Sequence, residues 1–164
     1  MNVNLPKFAE RGPIRDVVWI PLKFYHDPRG WLVELFRNDL IDPNYRPEMA
    51  YVSLTKPGVA RGPHEHVDQS DYFCFIGPSI FRVYLWDARQ GSPTFGAKEV
   101  KDVGENAPYA LIVPPGIVHA YKNVGDQDGL VFNGANRLYA GWLKQDEVDE
   151  IRHEKDPNTP YRLD

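Results

Sequence analysis

A chain of 164 residues is about one domain long, enough to bury a core without disulfide or metal staples. With 42% hydrophobic and 26% charged residues it falls outside the disordered and fibrous classes, and a net charge of −4 argues against non-specific nucleic-acid binding while leaving room for an anionic small ligand where a few arginines converge. The single cysteine, Cys74, excludes an intramolecular disulfide; no apolar leader and no apolar run near 18 residues signals export or a membrane span, so a cytoplasmic protein is expected.

Fifteen Pro and 13 Gly punctuate the chain, and 9 Tyr with 8 Phe suit pleated surfaces, so short strands should dominate. Val17 to Ile20 reads as a strand, Asp27-Pro28-Arg29-Gly30 as a turn, and Trp31 to Arg37 as the next strand. Met49 to Leu54 follows, closed by Lys56-Pro57-Gly58. Cys74 sits in the apolar run Tyr72 to Ile76 and is expected to be a buried packing thiol. The clearest alternation runs from Ile80 to Trp86: Phe81, Val83 and Leu85 share one face, and Ile80, Arg82, Tyr84 and Trp86 the other. That second face is either a ligand lining or an outer sheet surface. Ala110 to Val113, Ala120 to Asn123 and Leu130 to Asn133 continue the strand pattern, while Lys144 to Lys155 reads as a short helix with Val148 and Ile151 on one side. The expectation is one all-β domain over residues 1–164, a sandwich, jelly roll or barrel with a C-terminal helix as a peripheral cap.

Chemistry concentrates in two places. His64 and His66 are two apart, so on a strand both imidazoles face the same way, and Asp71 follows five residues later. Pro114-Pro115-Gly116-Ile117-Val118-His119 ends a strand, turns and presents a third histidine, with Asn123 four residues on. This resembles the two motifs of the cupin superfamily, His-x-His with a following acid and Pro-x-Gly-x-x-His-x-x-x-Asn. The resemblance implies a double-stranded β-helix. In metal-dependent cupins the matching residues bind a divalent ion, which here means His64, His66, Asp71 and His119, a donor set suited to Fe, Mn, Ni or Zn. His26 and His153 lie outside the motifs and are expected to be structural.

A second resemblance rests on four landmarks in order. They are Asp27-Pro28-Arg29-Gly30 with Glu34 and Phe36, Arg61-Gly62-x-His64, Asp87-x-Arg89 through Ser92-Pro93-Thr94-Phe95-Gly96, and Pro115-Gly116-x-x-His119. Together they resemble the dTDP-4-dehydrorhamnose 3,5-epimerase family, metal-free cupin dimers acting on a 4-keto sugar joined to thymidine diphosphate. The resemblance implies that His64 removes the acidic proton beside the ketone, that Arg29 and Arg61 meet the diphosphate, and that Glu34, His119, Tyr121 and Asn133 contact the substrate. It also implies a homodimer whose N-terminal segment, within residues 1–16, crosses to the partner.

The chain departs from that family at several positions. Asn133 stands where the family has a proton-donating tyrosine, the C-terminal Asp that orients the histidine is missing, and Gln69-Ser70-Asp71 replaces an expected lysine. Met49 and Tyr51 replace base-contacting Gln and Asn. The extra His66 makes Arg61-Gly62-x-His64-x-His66 similar to the sugar 3,4-ketoisomerases, where two histidines shuttle protons. His64 and His66 are therefore the expected proton-transfer groups. Tyr139 heads the candidate acids, which also include Tyr72, Tyr84 and Tyr121, and Asp71 or Asp87 is available to orient a histidine. The expected activity is a cofactor-free epimerase or isomerase of a dTDP-4-keto-6-deoxy sugar. The alternatives are a metal-dependent cupin enzyme and a non-catalytic cupin that binds sugar nucleotides.

Overall fold

The structure, a computed structural model, describes residues 13–164 and the backbone of Ala9 and Glu10. The expected partner-crossing segment, within residues 1–16, falls largely outside the described residues. In chain order the strands are β1 (Ala9–Glu10), β2 (Val18–Pro21), β3 (Phe24–Asp27), β4 (Gly30–Val33), β5 (Met49–Thr55), β6 (Ala60–Glu65) and β7 (Asp71–Phe75). They continue with β8 (Ile80–Asp87), β9 (Ala97–Gly104), β10 (Tyr109–Val113), β11 (Ile117–Asn123), β12 (Gly129–Ala135) and β13 (Ile151–Arg152). One sheet has the order β1-β9-β8-β11-β6-β13, the facing sheet the order β2-β10-β7-β12-β5, and β3-β4 form a separate hairpin. This is the double-stranded β-helix, with pairing antiparallel apart from β1 on β9.

Alternation sends Phe81, Val83 and Leu85 of β8 into the space between the sheets. There they meet Phe73 and Phe75 of β7, Leu111 and Val113 of β10, and Tyr121 of β11. The other face of β8 is the outer face of its sheet. Tyr84 and Trp86 are nonetheless buried on it, because the C-terminal residues Tyr161 and Leu163 fold back over them. Arg82, on the same outer face, pairs with Asp102 at 2.8 Å. Behind β7, Tyr72 and Cys74 pack under Leu35, Ile41 and Tyr45, so both faces of that strand are dry and its run is continuously apolar. Cys74 is buried as expected, and burial pushes its thiol pKa up.

The helix expected over Lys144–Lys155 is absent. That stretch holds one residue of a 3-10 turn (Trp142–Lys144), strand β13, and a second 3-10 turn (His153–Lys155). Leu143 and Lys144 have positive φ, which an α-helix does not admit, and Val148 and Ile151 remain 43% and 45% exposed. The helical spacing of apolar residues there has no surface to bury against. Among the described residues no helix is long and apolar enough to cross a membrane.

Candidate active site

β6 and β11 pair so that His64 and His119 are register partners, and the register shifts between His119 and Tyr121. The strands approach so closely there that a Cβ on Gly62 would meet the His119 carbonyl oxygen at 2.5 Å. Gly62 also has φ +84°, so a glycine is required between Arg61 and His64. The three imidazoles gather as expected, with ring centroids 4.5 Å apart for His64 and His119, 5.9 Å for His64 and His66, and 5.8 Å for His66 and His119.

Asp71 enters from the facing sheet, at the start of β7, and is 1% exposed. Its Oδ2 lies 3.1 Å from Nε2 of both His66 and His119. Its Oδ1 accepts from Gln69 Nε2 at 2.9 Å and Asn133 Nδ2 at 2.8 Å. His119 Nδ1 lies 3.0 Å from the Ile117 carbonyl and His66 Nδ1 bonds the Asp149 carbonyl; a carbonyl only accepts, so both Nδ1 atoms carry hydrogen. Both Nε2 atoms are thereby left aimed at one carboxylate.

Electrostatics then separate the histidines. Burial opposes charge on His66, but Asp71 outweighs it and lifts the pKa to about 9. His64 is pushed down to about 2 by burial and, after it, by electrostatic interaction with the neighbouring imidazoles. Burial likewise opposes ionisation of Asp71, yet His119 and His66 hold its pKa well below the usual carboxylate range. The cluster therefore contains an imidazolium beside a carboxylate and a neutral imidazole within 6 Å of it.

The C-terminal segment closes one side. The Asp149 carboxylate accepts from three successive backbone N–H groups, Val67 at 2.7 Å, Asp68 at 2.9 Å and Gln69 at 2.7 Å. Next to it, Glu150 Oε1 stands 3.9 Å from His64 Nδ1, with the Arg152 guanidinium 2.6 Å from its other oxygen. A cavity of about 1020 Å³ opens above the histidines. Met49, Tyr51 and Ser53 line it from β5 and Arg61 and His64 from β6, while residues 137–144 form a further wall that includes Tyr139 and Lys144.

Of the expected site residues, Arg61, His64, His66, Tyr121 and Tyr139 line this cavity, and His119, Asp71 and Asn133 are buried at its base. Arg61 is braced by Thr55 Oγ1 at 3.0 Å and the Leu54 carbonyl at 2.8 Å. Arg29 and Glu34 lie elsewhere: the Arg29 side chain is 89% exposed beside Asp27 at the β3-β4 hairpin, and Glu34 pairs with Arg37. Tyr72 and Tyr84 sit on outer faces. Asp87 orients no histidine, since its carboxylate binds Arg89, Ser92 and Thr94, which explains the sequence landmark there as a structural knot. His153 is structural, 2.8 Å from Glu65 and against Tyr161. Sequence reasoning missed Asp149 and Glu150, which reach the site from over 80 positions along the chain and carry no local motif.

The same base fits a metal ion. One ligand atom from each of His64, His66, Asp71 and His119 lies within 4.8 Å of the others. Bonds of about 2.1 Å to one ion put neighbouring ligand atoms roughly 3 Å apart, and the two 3.1 Å separations at Asp71 match that. Asp71 Oδ2 and His119 Nε2 are buried and complete no hydrogen bond among the described residues.

Comparison with known proteins gives a consistent result. The family model described as dTDP-4-dehydrorhamnose 3,5-epimerase matches residues 11–148. The probable low-salt glycan biosynthesis epimerase Agl13 of Haloferax volcanii is 38% identical over 127 residues, covering 77% of this chain and 81% of that protein. The spore coat polysaccharide biosynthesis protein SpsL of Bacillus subtilis is 31% identical over 137 residues, covering 82% and 85%. Among solved structures, a dTDP sugar isomerase from Desulfovibrio desulfuricans G20 superposes with a TM-score of 0.77 at 20% identity, covering 92% of this chain and 94% of that one. NovW, a 4-keto-6-deoxy sugar epimerase from Streptomyces spheroides, does so with 0.73 at 23% identity, covering 93% and 79%. At those identities the structures establish the shared fold.

Proposed function

The chain belongs to the dTDP-4-dehydrorhamnose 3,5-epimerase family and is an isomerase of that type, and from this premise we propose how its residues act on a dTDP-linked 4-keto-6-deoxy sugar. The observation that carries the reading is a neutral, buried His64 at the floor of a large cavity, with a charged His66–Asp71 pair beside it. The hydrogen on a carbon next to a ketone is acidic because the resulting negative charge moves to the oxygen. His64 removes that hydrogen, and the imidazolium of His66 stabilises the enolate oxygen in a site of low dielectric. Glu150, whose Oε1 stands 3.9 Å from His64 Nδ1, balances the charge of His64 once it is protonated. Arg61 and Lys144 receive the diphosphate.

The family is cofactor-independent, and we propose that the active protein works without metal. Arg29 and Glu34 are too exposed and remote to serve their own cavity, so they act in a homodimer where the hairpin reaches the partner. Agl13 is described as a probable glycan biosynthesis epimerase and SpsL as a spore coat polysaccharide biosynthesis protein, and the product of this enzyme is proposed to feed glycan assembly.

The test is NMR of dTDP-4-keto-6-deoxyglucose with the protein in deuterium oxide. Deuterium at C3, or at C3 and C5, with inversion supports the reading; migration of the ketone makes the enzyme a ketoisomerase, and no incorporation removes both.

A second reading is favoured by the two unpartnered buried atoms of Asp71 and His119. His64, His66, Asp71 and His119 would then hold a divalent ion, which supplies Lewis-acid polarisation of an oxygen. His66 and His119 would act as ligands, each fixed by its Nδ1–H bond to a main-chain carbonyl.

A further inference from the structure

Inverting a carbon needs one group to take the proton from one face and a second to return a proton to the other. His64 reaches the cavity from the six-stranded sheet, so the second group is to be sought on the five-stranded sheet opposite. Asn133 on β12 has an amide in place of a donor hydroxyl, but its cross-strand partner on β5 is Tyr51. Residues directly opposed in an antiparallel pair point to the same side, and Tyr51 lines the cavity.

The orientation of Asn133 is set by its neighbours. Its Oδ1 accepts from the Tyr72 backbone N–H at 3.1 Å, so its NH2 group faces Asp71 Oδ1 at 2.8 Å and Tyr51 Oη at 3.0 Å. Tyr51 Oη therefore accepts from Asn133, and its own proton remains undirected; no described residue takes it. We propose that Tyr51 is the proton donor of the epimerisation, acting on the sugar face opposite His64, an assignment that rests on the epimerase reading above.

In the step, the C–H pair becomes the C=C bond of the enolate as His64 gains the proton. On return the C=C pair forms a new C–H bond with the Tyr51 hydroxyl proton, and the ketone is restored. The phenolate left behind is held by the Asn133 N–H and regains a proton from water in the open cavity, while His64 loses its proton to solvent. Electrons and protons balance with no oxidant or reductant. The other cavity tyrosines are less suited. Tyr121 Oη shares a bond with Ser53 Oγ at 3.0 Å, and no described bond fixes the Tyr139 hydroxyl, whereas Asn133 fixes that of Tyr51.

Tyr51→Phe separates the two half-reactions. It keeps the ring and loses one hydrogen bond at a half-exposed position, and an unchanged melting curve verifies the fold. With dTDP-4-keto-6-deoxyglucose in deuterium oxide, inversion should fall at least about 100-fold while solvent exchange with retained configuration stays within about tenfold of wild type. Tyr51→Phe inverting within about threefold of wild type overturns the assignment. So does equal loss of exchange and inversion, which marks Tyr51 as a substrate contact. A wild-type protein that neither exchanges nor inverts instead fails the epimerase reading itself, and the assignment with it.

Discussion

His64 and His119 meet edge to face with ring centroids 4.5 Å apart, at directly opposed positions of β6 and β11. Burial first, and then the neighbouring His119 imidazole, push the His64 pKa down, so His64 is held neutral. The first prediction follows from its role as base. His64→Asn should lower turnover by about 10²–10⁴-fold while leaving the melting temperature nearly unchanged. A variant retaining more than about a tenth of wild-type turnover removes His64 from the mechanism.

The pH dependence should be unlike that of an ordinary histidine enzyme. With a folded pKa of about 2, His64 stays a free base far into acid, so kcat/KM should show no limb near 6.5 from it. His66 should give an alkaline limb near 9 as its proton leaves Asp71. Stability follows the same signs. The depressed His64 costs stability as pH falls below its unfolded value of about 6.5. The raised His66 contributes stability fully below that value and loses it as pH rises through 9. Melting temperature should therefore peak near 6.5 for this pair. A wild-type acid limb at 6–7 that disappears in His64→Asn would leave His64 as the base but contradict its depressed pKa.

Metal content decides between the two readings of the same histidines. Protein purified without an affinity tag should hold well under one metal per chain by mass spectrometry, and chelator should leave turnover unchanged. Stoichiometric metal, with turnover lost to chelator and restored by Fe, Mn, Ni or Zn, would establish the metal-dependent enzyme. In that case His66→Ala should lower metal content; in the metal-free protein it should alter only proton transfer.

The exposed hairpin makes a quaternary prediction. Light scattering at micromolar concentration should give twice the 18.8 kDa chain mass. Arg29→Ala should raise KM about 10- to 100-fold with kcat nearly preserved, the worth of a charged hydrogen bond to phosphate. A monomer with normal KM in that variant would leave Arg29 without a role.

Strands with alternating apolar residues are legible in the sequence, Ile80–Trp86 above all, because a period of two has one structural meaning. β9 is not, since Ala97-Lys98-Glu99-Val100-Lys101 mixes charge into both faces. The histidine cluster is legible because its motifs are local, with His64 and His66 two apart and His119 after a tight turn. Tyr51 and Glu150 are not, because their importance comes from a cross-strand hydrogen bond to Asn133 and an approach to His64 from 86 positions away. The false helix at Lys144–Lys155 shows the opposite failure, a helical spacing overridden by the bonds of Asp149 to residues 67–69.

Those three bonds from Asp149 also constrain how the chain can change length. An insertion or deletion between Lys144 and Asp149 would displace the carboxylate by up to about 3.3 Å, a full strand rise, and uncouple three N–H groups together with the carbonyl that fixes the His66 tautomer. The Arg137–Gly141 stretch of the cavity wall is tied to the same turn by an exposed ion pair, Arg137 to Asp68 at 2.8 Å, a weaker tether than three backbone N–H bonds, so gain or loss of residues is better tolerated there than at 145–150.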